Sequence, residues 1–125
     1  MSRFFVGNLF LALSILMAAV SQVMLKALMS ELDPNAGIVQ KFQQLLVSSR
    51  LWRAALVATL IVAGFLCWVT CLSKLDLSYA YPIACGSALL ITLLSVMFLG
   101  ETVTWRVWVG TMLIMLGTIF LAPSK

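Results

Sequence analysis

The sequence predicts an all-α membrane protein: a bundle of four transmembrane helices, with a short interfacial helix in its first connection. Composition is the first observation behind this. Of the 125 residues, 63% are hydrophobic and only 10% are charged, whereas a soluble domain of this length needs far more charge to cover its surface. Mean hydropathy is +1.13. The second observation is segmentation: the apolar residues fall into four runs, and about 20 residues suffice to cross a hydrocarbon core about 30 Å thick. The third is economy of length. Four such runs use most of the chain, so residues 1–125 read as one transmembrane domain, with no room for a nucleotide-binding or catalytic module.

Span one covers about residues 4–28. It follows Arg3 as a signal peptide would, but it is too long for a signal core. It also lacks a small-x-small cleavage site before Gln22 and Lys26, so a retained helix is expected. Asp33-Pro34-Asn35 and Gly37 then break the chain. In the connection that follows, Ile38, Phe42, Leu45 and Leu46 recur at helical spacing opposite Gln40, Lys41, Gln43 and Gln44. That pattern fits a short amphipathic helix lying at the interface, or an N-terminal extension of span two bent at the membrane surface. Span two covers about residues 52–72 and ends before Lys74 and Asp76. Span three, about residues 80–99, stops at Gly100-Glu101-Thr102, and span four, about residues 105–121, stops before Pro123.

The formal net charge of +4 sits mostly in loops and at the termini, where span flanks account for it, and no basic stretch interleaved with aromatics points to nucleic acid. Lys41, Arg50, Arg53 and Arg106 lie beside the first and third connections, against Arg3, Lys74 and Lys125 on the other side. The bias leans towards cytoplasmic first and third loops and outward-facing termini. The three cysteines, Cys67, Cys71 and Cys85, fall inside apolar runs, and an odd number there argues against a disulfide framework. With no histidine in the chain, the usual zinc patterns and a Ser-His-Asp triad are excluded. No metal and no cofactor are expected.

Polar groups inside spans are functional candidates because lipid offers them no partners. Gln22 and Lys26 lie one turn apart near the end of span one, on a stripe with Ser14, Ala18 and Ser21. Lys26 either snorkels to the headgroups or binds an anion; the Gln22 amide needs partners in the bundle, as interhelical glue or as a ligand contact. Tyr81, Cys85, Ala88, Thr92 and Ser95 form a second stripe on span three, where Tyr81 is either a membrane-belt aromatic or a substrate contact and Pro82 kinks the helix. Gly64, Cys67, Trp68 and Cys71 share one side of span two, and the Trp68 indole can pack on a ligand or simply in the bundle. Gly110, Ile114 and Gly117 give span four a small-residue seam suited to a dimer contact or to packing within the chain. Glu101 adjoins the start of span four, whose positive end it would complement. It is also the candidate coupling carboxylate. Glu31, Asp33 and Asp76 read as solvated loop residues, and no pair of carboxylates shares a face for general acid–base catalysis.

Taken in order, Leu77-Ser78-Tyr79-Ala80-Tyr81-Pro82, Gly86-Ser87, Leu94-Ser95, Phe98-Leu99-Gly100-Glu101 and Trp108-Val109-Gly110 with Gly117 resemble the drug/metabolite transporter superfamily. Ser21-Gln22-Val23-Met24-Leu25-Lys26 extends the resemblance to span one. It is similar to both four-helix branches, the small multidrug resistance exporters and the small EamA-like lipid-carrier flippases. The exporters carry a membrane-embedded glutamate on their first helix, and Ala18 occupies that place here. Without it a cationic drug has no counter-charge. The resemblance therefore implies the flippase branch, whose small subunits move undecaprenyl phosphate-linked aminoarabinose in the bacterial inner membrane. It implies a lipid-linked sugar phosphate as ligand, with Lys26 on the phosphate and Gln22, Trp68 and Tyr81 around the head group. It also implies a homodimer, or a heterodimer with a related small subunit. The alternatives are efflux of a cationic or amphipathic compound and a non-transporting accessory subunit.

Overall fold

The computed structural model describes residues 3–46 and 48–121; the expected terminator Pro123 and the basic Lys125 lie outside them. Six α-helices and one π turn follow in order: α1 Arg3–Ser30, α2 Ile38–Leu45, α3 Ser48–Leu72, α4 Leu77–Cys85, α5 Ser87–Leu94, the π turn Ser95–Leu99, and α6 Trp105–Leu121. Among the described residues there is no strand. At 1.5 Å per residue, the 28 residues of α1 span about 42 Å, enough to cross the hydrocarbon and emerge from it. Residues 49–72 and 77–99 form two further helices apolar and long enough to cross. The 17 residues of α6 reach about 26 Å, the lower end of spanning length.

One of these elements decides between two readings of the sequence, and another differs from the reading. The first connection folds its amphipathic stretch into the separate helix α2, not into an extension of α3. Pairing of loop groups is the reason: Gln40 Oε1 accepts from the Gly37 N–H (3.2 Å) and Gln44 Oε1 from the Asp33 N–H (3.3 Å). This leaves Ile38, 89% exposed, and Phe42, 63% exposed, facing outwards as membrane-interface residues would. Span three, expected as one run, is interrupted. Pro82 lacks an N–H to donate, and at Gly86 the chain tightens to a Gly86 N–H to Ile83 carbonyl bond of 3.0 Å. Its last turn then widens into the π turn, which ends at Gly100 in the left-handed region, φ 65°. Only glycine takes that conformation without strain.

Helices α1 and α3 form the tightest pair. Gly64 makes this possible: a Cβ there would stand 3.2 Å from the Met17 Cβ. Beside this contact Leu11, Cys71, Leu75 and Ala80 form a buried cluster, with Gly7 passing directly under Leu75. Hydroxyls inside the bundle bond within their own helices, Ser14 to the Leu11 carbonyl (2.8 Å), Ser21 to that of Ala18 (3.0 Å) and Thr111 to that of Val107 (2.7 Å). Each polar group is thereby satisfied without water. Helix α6 packs on α4 and α5 and turns Leu113, Leu116 and Phe120 outwards. The first and third connections share one end of the bundle; the start of α1, the 73–76 turn and the end of α6 share the other.

Candidate functional site

The α1 stripe of Ser14, Ala18, Ser21, Gln22 and Lys26 lines a cavity of about 690 Å³ between α1, α3 and the α4–α5 junction. Gly64 and Trp68 close it from α3, and Ala84 and Ser87 from the broken third span. Steps of three and four on α1 keep these residues on one side of a continuous helix, so one element supplies most of the polar lining. A second cavity, about 800 Å³, lies between α1, the π turn and the third connection, and is bordered by Thr92, Ser95, Glu101 and Thr104. Gln22 and Lys26 border both.

Lys26 Nζ stands 3.8 Å from Glu101 Oε1. Glu101 thus faces a cation on α1; the sequence reading placed it against the positive end of the last helix. The left-handed Gly100 turns the chain back at this point. With both side chains exposed, the pair is worth about 1 kcal/mol or less to stability. Trp68 and Tyr81 meet edge to face, centroids 5.5 Å apart and rings at 82°. Tyr81 is 54% exposed and stands behind Trp68, outside the described lining of these two cavities. Of the expected span-three stripe, Thr92 and Ser95 border the second cavity, whereas Tyr81, Cys85 and Ala88 are outside the described lining of both; Ala84 and Ser87, off that stripe, face the first.

The seam residues lie elsewhere. A Cβ on Gly110 or Gly117 would meet nothing within 4 Å, and Ile114 is exposed. Packing within this chain therefore does not use that face.

Two polar couplings escaped the sequence reading. Glu31, expected to be solvated, takes a fork from Arg53, Nη1 donating to Oε1 (2.7 Å) and Nη2 to Oε2 (3.1 Å), with Arg50 Nε 3.8 Å away. Arginines three apart share a helix face, which was the available signal. At the other end Tyr79 Oη donates to Asn8 Oδ1 (3.1 Å) while Asn8 Nδ2 donates to the Phe4 carbonyl (2.9 Å). A lone amide in an apolar run was the sign there.

A helical bundle apolar on its outside, with cavities between its helices, suits a membrane transporter, and the family to which the sequence belongs makes it a transporter rather than an enzyme. Residues 35–122 match the EamA-like transporter family, and the chain belongs to that family. It is a multi-pass protein of the bacterial inner membrane. The probable 4-amino-4-deoxy-L-arabinose-phosphoundecaprenol flippase subunit ArnF of Shewanella sediminis (strain HAW-EB3) is 33% identical over 129 residues, covering 95% of this chain and 89% of the relative. The probable ArnE subunit of the same flippase from Yersinia pestis (strain Pestoides F) is 38% identical over 71 residues, 57% of this chain. That from Yersinia pseudotuberculosis serotype O:3 (strain YPIII) matches equally. The chain spans 61% of the length of these ArnE relatives. No solved structure matches it significantly.

Proposed function

We propose that the protein translocates a lipid-linked sugar phosphate, an amino sugar on undecaprenyl phosphate, across the inner membrane. The observation that carries this reading is the charge in the first cavity. Among the described residues lining it, Lys26 is the one ionisable group. A cation beside the Gln22 amide suits a phosphate, and the small Ala18 leaves no carboxylate to attract a cationic drug. The volume falls within the range of small-molecule sites, and the apolar remainder of the lining allows the lipid tail to stay in the bilayer. The names of the relatives supply the sugar.

In this mechanism Lys26 binds the phosphate and Gln22 donates to phosphate or sugar. Trp68, edge to face with Tyr81, lines the far end of the same cavity and offers its ring to the sugar as the head group crosses. The α6 face of Gly110, Ile114 and Gly117 holds the second subunit, a copy of the chain or a related small protein, and α6 completes the fourth crossing. Two subunits enclose a polar path that four helices alone leave open, and exchange between them provides alternating access. Replacing Lys26 by alanine should abolish reorientation of a labelled lipid in proteoliposomes while membrane insertion is retained. Wild-type reorientation in Lys26→Ala would remove the phosphate role.

A further inference from the structure

The Lys26–Glu101 pair has a consequence for which head groups the site accepts. Among the described residues lining the two cavities, Lys26 is the one cation and Glu101 the one anion, and they stand 3.8 Å apart where the cavities meet. A lipid phosphodiester carries one negative charge. When it takes Lys26, Glu101 loses its partner and is left beside an anion, which opposes binding. A head group that also carries an ammonium removes that opposition: its phosphate replaces Glu101 at Lys26, and its ammonium replaces Lys26 at Glu101. A neutral pair in the protein exchanges for a neutral zwitterion in the ligand, with every charge matched before and after.

We infer that Glu101 is the specificity-determining residue of the site, reading the amino group of a phosphate-linked amino sugar and disfavouring the same lipid with an uncharged sugar. Three features of the structure support this. Gly100, left-handed at the end of the π turn, directs the following residue back towards α1. The Lys26 side chain is 64% and the Glu101 side chain 44% exposed, so they can part around a ligand without unpacking the core. Thr102 and Thr104 border the same cavity beside Glu101 and offer hydroxyls to a sugar. The inference rests on the phosphate reading of Lys26, and the experiment separates the two.

The full chain in lipid nanodiscs is titrated with two synthetic decaprenyl phosphodiesters, identical except that one sugar bears an amine where the other bears a hydroxyl. The wild type should bind the amino lipid roughly five- to tenfold more tightly, the range expected for one charge-assisted contact at an exposed site. In Glu101→Gln the ratio should fall to near one, and Glu101→Asp, which keeps the charge, should preserve the preference. A preference retained in Glu101→Gln overturns the assignment. So does a wild type that binds both lipids alike while Lys26→Ala binds neither, a result that leaves the phosphate reading standing. A wild type that binds neither lipid overturns the phosphate reading and the Glu101 role together.

Discussion

Single residues set how closely these helices approach and what charge they present. Gly64 is the clearest case, because a Cβ at that position meets Met17 at 3.2 Å. Gly64→Val should destabilise the α1–α3 pair by about 1–3 kcal/mol through overpacking, read as a shift in the SDS-unfolding midpoint in mixed micelles. The Glu31 fork works differently. Its carboxylate meets the Arg53 guanidinium through two parallel bonds, the geometry that makes arginine–carboxylate pairs specific, and it fastens the end of α1 to the start of α3. Lys26 and Glu101, 3.8 Å apart and both exposed, contribute little to holding the fold. Under the proposed recognition scheme they act as a displaceable charge pair beside the second cavity.

Among the elements, α1 and the broken third span line the two cavities, and α6 leaves the face of Gly110, Ile114 and Gly117 open, the contact surface of the proposed second subunit. Helix α1 is continuous over 28 residues, so its small and polar stripe stays in register along the whole groove. The third span is not continuous. Gly86 and the π turn interrupt it twice, so residues off the expected stripe, Ala84 and Ser87, line the first cavity while Thr92 and Ser95 line the second. A π turn inserts an extra residue into the helical turn and is found mostly where function requires it. On α6 the glycines meet nothing within this chain. Gly117→Leu should therefore leave the monomer's unfolding midpoint unchanged while reducing cross-linking between subunits in membranes. An unchanged cross-linking yield would show that the subunits meet through another face.

At the scale of the molecule, the two ends differ in their number of Lys and Arg residues. The end formed by the first and third connections carries Lys41, Arg50, Arg53 and Arg106, and basic loops stay in the cytoplasm. The expectation from this bias is that the termini face outwards. With the native cysteines replaced, Lys74→Cys should react with an impermeant maleimide in intact cells, and Lys41→Cys only after permeabilisation. The reverse pattern would invert the orientation. Labelling of both positions in intact cells would indicate insertion in both directions, the arrangement of an antiparallel dimer.

The same contrast separates what the sequence alone determines from what folding adds. The helical bundle, the stripe from Ser14 to Lys26 and the amphipathic stretch from Ile38 were legible in the chain, because hydropathy and a 3.6-residue period are properties of neighbours in sequence. So was the absence of a carboxylate at Ala18. The break at Gly86 was not, since a proline inside an apolar run is compatible with either a kinked or a broken helix. Nor were the pairings of Glu31 with Arg53 and of Lys26 with Glu101, 22 and 75 residues apart in the chain. Four alternating spans already put the first and third connections at the same end. Which side chains meet there depends on which helices pack side by side, and only tertiary packing sets Arg53 on Glu31 and Glu101 beside Lys26. The sequence by itself therefore settled that this is a membrane bundle with a cation on its first helix; the tertiary structure decided that the cation faces two cavities and already holds an anion.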